Sequence, residues 1–325
     1  MKESEIKSEK FLASKSQKRL HRWGYKDSGF ELDGEKSVTF VGNRYEVSGT
    51  SMPDFIPYIE SVLGIEFNKD DELTSVSKKP VNPPAINSEF YDAVKKSFKE
   101  DRYTIDDLER LIHSHGQETF KDIYKVIYKS IERTVDLVFY PENEDEVREL
   151  IELSSKFNIC LIPYGGGTNV TRALSIPENE NRMVVSVDMR RMSKIEWINS
   201  EDRRVCVQAG ITGGELIEVL KEKGFTIGHE PDSVELSTVG GWVATNASGM
   251  KKNRYGNIED IVENISLVSP KGVIKQINPI SRGSIGFKPQ NVLFGSEGNI
   301  GIITKVILKM HEIPHAQKYN SVIFK

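Results

Sequence analysis

With 325 residues, 38% of them hydrophobic and 28% charged, the chain can bury a sizeable core and should form about two compact units. Its formal net charge of -4 supplies no general pull toward nucleic acid. No run approaches the roughly 20 apolar residues of a membrane-spanning helix, and the N-terminus lacks the apolar core of a secretory signal, so an intracellular globular protein is expected.

Residues 1–20 are polar and lysine-rich and are expected to form a mobile arm. A mixed, mainly helical region follows over 21–130. It holds Trp23-Gly24-Tyr25, a short hairpin over 37–47 and a helix near 54–63. A linker or irregular wrap over 69–88 carries Pro80, Pro83 and Pro84, and helices are predicted over 89–98, 105–113 and 120–128. His113 and His115 flank Ser114 in a polar stretch with no second ligand cluster nearby, so they read as solvated side chains and not as zinc ligands.

From Asp136 the pattern alters. A strand over 137–140 leads to a helix over 142–157, where Val147, Leu150, Ile151 and Ser154 recur at helical spacing behind an acidic first turn. A strand over 159–163 closes a β-α-β unit. Further strands are predicted over 183–187, 195–198, 204–208, 261–269, 272–277 and 301–310, with a helix over 213–223 that stops at Gly224. Helices scattered among sequential strands make the class α+β. The strand-rich part, 131–313, reads as two lobes, 131–203 and 204–313, with a ligand between lobes as the natural geometry. Cys160 and Cys206 each sit in an apolar strand pattern, which favours buried thiols over a disulfide, a metal site or a redox pair.

Four glycine- and hydroxyl-rich segments are the chemical signal. Pro163-Tyr164-Gly165-Gly166-Gly167-Thr168-Asn169 leaves a strand into three glycines, whose freedom of φ lets successive N–H groups form an anion-binding nest; a purely structural turn is the competing reading. Gly228-His229-Glu230-Pro231-Asp232-Ser233-Val234-Glu235-Leu236-Ser237-Thr238-Val239-Gly240-Gly241 ends as a helix start that Ser237 or Thr238 can cap, leaving N–H groups for an anion. That helix is expected to continue through Trp242, Ala244, Thr245, Asn246, Ala247, Ser248 and Gly249, small residues suited to close approach; a tightly packed helix is the alternative. Gly295-Ser296-Glu297-Gly298-Asn299-Ile300-Gly301 opens into a strand beginning Ile302-Ile303. No lysine-bearing P-loop and no Gly-x-Gly-x-x-Gly fingerprint is present, so the segments describe a cradle for a large diphosphate cofactor that is not held by a Rossmann turn. His229, Asp232 and Ser233 could be taken for hydrolase parts, but no Gly-x-Ser-x-Gly elbow surrounds a serine. The run Lys251-Lys252-Asn253-Arg254 reads as a solvated turn, or as added charge beside a bound anion.

These segments resemble the flavin domain of the FAD-binding PCMH-type, vanillyl-alcohol-oxidase-like flavoproteins. Within that group the likeness is to the alkyldihydroxyacetonephosphate (alkylglycerone-phosphate) synthase family. It includes Ala209-Gly210-Ile211-Thr212-Gly213, Ser248-Gly249-Met250-Lys251-Lys252-Asn253 and Tyr255-Gly256-Asn257-Ile258-Glu259-Asp260. It reaches upstream to Trp23-Gly24-Tyr25 and downstream to Gln317-Lys318-Tyr319, nearly the whole chain.

The resemblance implies a two-lobed α+β domain over 131–313. It implies FAD contacts at Pro163 to Asn169, at Asp232, Ser233, Val234, Glu235, Leu236, Ser237 and Thr238, at Thr245, Asn246, Ala247 and Ser248, and at Glu297, Gly298, Asn299, Ile300, Gly301, Ile302 and Ile303. The absence of histidine from the glycine loop implies non-covalent FAD. Asn246 departs from the family pattern, which has arginine there. The implied activity is exchange of the acyl chain of acyl-dihydroxyacetone phosphate for a long-chain fatty alcohol, without net redox change. An FAD-linked oxidase or D-2-hydroxyacid dehydrogenase, or a catalytically silent FAD-binding remnant, are the alternatives. The family's substrate cap, with its tyrosine, histidine-rich loop and phosphate-binding arginine, would begin at 314–325 and lie beyond Lys325. No catalytic residue and no metal site is therefore expected in this chain, which reads as the N-terminal part of the enzyme. The resemblance further implies the peroxisome, its membrane surface and a possible homo-oligomer as the setting, with no nucleic acid; no targeting signal is legible in the chain.

Overall fold

The structure, a computed structural model, describes residues 28–42, 45, 47–68, 81–116, 119–128, 131–275, 286, 288–318, 320, 322 and 324. The arm over 1–20, Trp23-Gly24-Tyr25, most of the wrap over 69–88 and Tyr319 lie outside the described residues. The class is α+β, and two compact units emerge. The first comprises 1–139, 158–162 and 167–186; the second comprises 140–157, 163–166 and 187–325. The predicted lobe 131–203 is thus shared between them, because the chain crosses from one unit to the other five times along that stretch.

In the first unit, β1 (Ser28–Leu32), β2 (Val38–Gly42) and β3 (Ser51–Met52) form an antiparallel sheet. α1 (Phe55–Leu63) follows and ends at Gly64 in the left-handed region. α2 (Ser88–Ser97) starts where the Asn87 side chain accepts from Phe90 N, and it buries Phe90 and Val94. After β4 (Tyr103–Thr104), α3 (Asp107–Ile112) is capped by the Asp106 carboxylate, which accepts from Leu108 N and Glu109 N. α4 (Phe120–Tyr128) and β5 (Leu137–Phe139) come next. β5 stands in a four-stranded sheet of order β4-β5-β7-β6, with β6 at Cys160–Tyr164 and β7 at Val184–Asp188.

Two buried charges organise this unit. The Arg110 guanidinium donates to Val135 O at 2.8 Å, Asn82 O at 2.7 Å, Thr134 Oγ1 at 3.1 Å and Asp107 at 2.8 Å. The Asp136 carboxylate accepts from Ala85 N, Val184 N and both Arg133 Nη atoms. Each buried charge is thereby ringed by hydrogen-bond partners, which is the condition for placing charge in a core.

One expectation is corrected: His113 and His115 are buried, not solvated. The C-terminal turn of α3 packs against β5, and the His113 Nδ1 sits 2.7 Å from the Glu109 carbonyl.

The second unit holds α5 (Glu144–Phe157), which buries Val147, Leu150, Ile151 and Ser154 as its spacing predicts and lies against β11 (Val262–Ser269). Its sheet has the antiparallel order β12 (Gly272–Ile274), β11, β13 (Ile302–Lys309), β9 (Arg204–Gln208), β8 (Ile195–Asn199). α6 (Gly213–Glu222) begins with a capping box between Thr212 and Glu215, and β10 (Phe225–Thr226) pairs with β14 (His311–Glu312). The short helices α7 (Val239–Ala244), α8 (Lys252–Tyr255) and α9 (Ile258–Ile261) complete the unit. Val207, Leu216, Trp242, Ile258, Leu267 and Val306 belong to one continuous core.

Candidate functional site

Four of the chain stretches marked by sequence come together inside the second unit, and glycine is what lets them. A Cβ on Gly165 would overlap the Thr238 side chain, and one on Gly166 would overlap the Leu236 carbonyl. Gly298, at φ 86°, faces Pro163, whose Cδ would lie 2.8 Å from a Cβ there. The first loop is therefore clasped by the second and fourth segments. Gly167, at φ 69°, carries the chain on into the first unit, where the Asn169 side chain accepts from Ala173 N and closes a turn.

The second segment is a compact turn. Val234 N donates to Pro231 O, and Leu236 N and Ser237 N both donate to Ser233 O. Gly213 N and Gly214 N reach it from the start of α6, on Ser237 O and Val234 O. Ser237 Oγ accepts from the Trp242 indole at 2.7 Å.

The expected anion site at the following helix start is not there. Thr238 does cap α7, accepting from Gly241 N at 3.2 Å, but Val239 N donates to Ile211 O and Gly240 N to Ala209 O. The N–H groups of the first turn are consumed by the protein. The helix also stops sooner than predicted, at Ala244. Thr245 Oγ1 turns back onto Gly241 O, and Asn246 takes φ 49°. Asparagine tolerates that left-handed conformation better than most residues. Beyond it, Ala247 N donates to Trp242 O and Ser248 Oγ meets Asn257 Oδ1 at 2.9 Å.

The fourth segment docks on that end of α7. Gly295 N donates to Val243 O and Glu297 N to Ala244 O, with Glu297 also left-handed at φ 44°. Ile302 and Ile303 enter β13 as buried sheet residues paired with Val268 and Leu267, so their side chains belong to the core. Tyr164 is buried as well, with the Arg190 guanidinium over its ring at 5.4 Å. Burial works against the Arg190 charge, but the Asp188 carboxylate beside it prevails and holds the guanidinium above its ordinary range.

Two side chains of the marked segments that were not among the implied contacts are buried here with unpartnered polar atoms. The His229 residue is wholly buried, and among the described residues neither ring nitrogen has a hydrogen-bond partner; Ser296 Oγ is likewise buried without one. Burial alone pushes the His229 imidazole down to about 4, so it is neutral at physiological pH. Its ring meets Trp242 edge-on at 4.8 Å. No local pattern distinguishes such a histidine from a solvated one; a clue was its place between Gly228 and Glu230 in a segment already singled out. Lys251, expected in a solvated turn, reaches back to Glu230 at 2.6 Å.

Clustered glycines with no room for a Cβ, left-handed turns at Asn246 and Glu297, and unpartnered polar atoms at His229 and Ser296 suit a ligand held mainly through backbone and hydroxyl groups. Among the described residues no cluster of three or more His, Cys, Asp or Glu could hold a metal ion, and no helix is long and apolar enough to cross a membrane.

Residues 135–278 match the family described as FAD binding domain, and FAD is the cofactor that this match and the similar proteins below indicate. More narrowly, the chain is a homologue of the alkyldihydroxyacetonephosphate synthases. It is 42% identical over 305 residues to that synthase from Caenorhabditis elegans, covering 93% of this chain and 50% of the relative. It is 35% identical over 295 residues to the one from Dictyostelium discoideum, covering 89% of this chain and 48% of the relative. A solved alkyldihydroxyacetonephosphate synthase superposes with a TM-score of 0.81 at 32% identity, covering 92% of this chain and 55% of that one. The chain spans about half the length of the curated relatives it matches.

Proposed function

We propose that this chain is the flavin-holding part of an alkyldihydroxyacetonephosphate synthase, a transferase that exchanges the acyl chain of acyl-dihydroxyacetone phosphate for a long-chain fatty alcohol and so forms the ether bond of ether lipids. The observation that carries this reading is the 42% identity sustained over 93% of the chain. It is supported by the way Gly165, Gly166 and Gly298 let the marked segments close on one another. Bound FAD supplies a nucleophilic centre through which an ester bond is exchanged without net oxidation.

The chain's own residues then hold and orient. Pro163 to Asn169, Asp232 to Thr238, Thr245 to Ser248 and Glu297 to Ile303 are the proposed contacts, within a domain taken to run over 131–313. Where Ile302 and Ile303 are concerned, burial of their side chains leaves the backbone to make the contact. The neutral His229, wholly buried, offers one nitrogen as donor and one as acceptor. FAD is held non-covalently, and no residue of this chain is assigned as catalytic acid or base. The proposed setting is the peroxisome at its membrane surface, with a homo-oligomer as the proposed assembly.

The test has two parts. The purified chain should be yellow and release its colour to the supernatant on acid precipitation. A chimera completed with the second half of the Caenorhabditis elegans relative should convert acyl-dihydroxyacetone phosphate and radiolabelled hexadecanol into the alkyl product. A colourless chain that takes up no added FAD would defeat the flavin assignment. A flavin-loaded chimera that reduces a dye with D-lactate but makes no ether would move the protein to the dehydrogenase reading.

A further inference from the structure

The His229 imidazole is covered on one side by a single turn of chain, residues 249–251. Gly249 lies so close that a Cβ there would stand 3.1 Å from the ring Nδ1 and 3.0 Å from Glu230 N. Met250 N donates to Glu230 O at 2.9 Å. Lys251 Nζ pairs with Glu230 Oε1 at 2.6 Å. On the other side stands Trp242, an uncharged wall. The cover is thin: His229 is 0% exposed whereas Met250, one residue past Gly249, is 74% exposed.

We propose that Lys251 is a positioning residue, whose ion pair with Glu230 latches the 249–251 turn over His229 and keeps that imidazole dry and fixed for whatever the site binds. The latch is a property of this unit alone and goes beyond the synthase reading. Burial is the cause of the ring's lowered affinity for protons, and Glu230 and Lys251, the charged groups of the turn beside it, pair with each other. Solvent access is therefore what sets its protonation. When the turn lifts, water hydrates the ring and its proton affinity returns toward the ordinary histidine range. The ion pair is partly exposed, with side-chain exposures of 42% and 32%, so its loss should raise the open population about fivefold and not abolish the fold. Because protonation traps the open form, a fivefold rise in opening moves the titration midpoint by up to about 0.7 pH unit.

The test uses the full chain as wild type, Lys251→Met, Lys251→Arg and Glu230→Gln. It reads two quantities that a merely structural defect would not move together: the nitrogen-15 NMR titration midpoint of His229, and the rate at which diethyl pyrocarbonate modifies that ring, followed on its peptide by mass spectrometry. Lys251→Met and Glu230→Gln should raise the rate about fivefold and the midpoint by about 0.7 unit, and Lys251→Arg should restore both. An unchanged rate and midpoint in folded Lys251→Met overturns the latch, as does a Lys251→Arg variant indistinguishable from Lys251→Met. Should Lys251→Met fail to fold, Glu230→Gln, which keeps shape and an acceptor, decides by the same two readouts. Neither readout needs cofactor or substrate, so failure here is distinct from failure of the proposed function.

Discussion

Gly166→Ala adds one methyl group where the backbone of another segment already stands. The new carbon would overlap the Leu236 carbonyl oxygen, with the Leu236 carbonyl carbon at 2.7 Å and Ser237 Cα at 3.1 Å. None of these is a flexible side-chain tip. Leu236 and Ser237 are tied to Ser233 O, and Ser237 O accepts from Gly213 N at the start of α6, so retreat would break hydrogen bonds in two elements. Overpacking of this kind costs about 1–3 kcal/mol, and the upper end is expected here because backbone must yield. If the loop shifts instead of the turn, the same free energy appears as weaker flavin retention, about tenfold per 1.4 kcal/mol. The assay is urea unfolding followed by tryptophan fluorescence, together with FAD titration of the same samples. Gly34→Ala is the control, since its Cβ would meet only Ser37, the Cβ at 3.4 Å and the N at 4.0 Å, and it should stay within about 0.5 kcal/mol of wild type. A Gly166→Ala protein with wild-type urea midpoint and wild-type FAD affinity would refute the clasp between these segments.

His229 should write itself into the acid limb of stability. Its folded-state proton affinity is depressed to about 4, so between the ordinary histidine value and 4 the unfolded chain binds the extra proton. Stability should rise with pH across that window, by about 3 kcal/mol at most, and His229→Gln should flatten this part of a urea-midpoint-against-pH curve. Arg110→Met strips partners from Val135 O, Asn82 O and Thr134 Oγ1 in a buried site and should cost about 3–5 kcal/mol by denaturation. Thr238→Val removes the α7 cap on Gly241 N and should cost about 1 kcal/mol, with FAD content of the purified protein falling alongside.

Much of this architecture was legible locally. The helical spacing of Val147, Leu150, Ile151 and Ser154 found its buried face in α5, and the helix expected over 213–223 ended just before Gly224, which takes φ 80°. The glycine- and hydroxyl-rich segments stood out because only glycine permits such backbone approach. Legibility failed where an outcome depended on residues far along the chain. The stretch from Thr238 to Gly249 reads as one small-residue helix, yet the carbonyls of Ala209 and Ile211 take its first N–H groups, and the docking of Gly295 and Glu297 accompanies its end near Ala244.

Local sequence was enough for the α+β class, for α5 and most strands of the second unit and for the four marked segments, since these follow from side-chain periodicity, capping and glycine freedom over a few residues; the hairpin expected over 37–47 instead forms over 28–42, where Ser28–Leu32 pairs with Val38–Gly42. Only the tertiary structure decided that Gly166 lies under Leu236, that His113 and His115 are buried, and that His229 sits neutral and unpartnered beneath the Lys251 turn. Desolvation is the physical reason: whether a polar group meets water is summed over every segment packed around it, and no local stretch of sequence contains that sum.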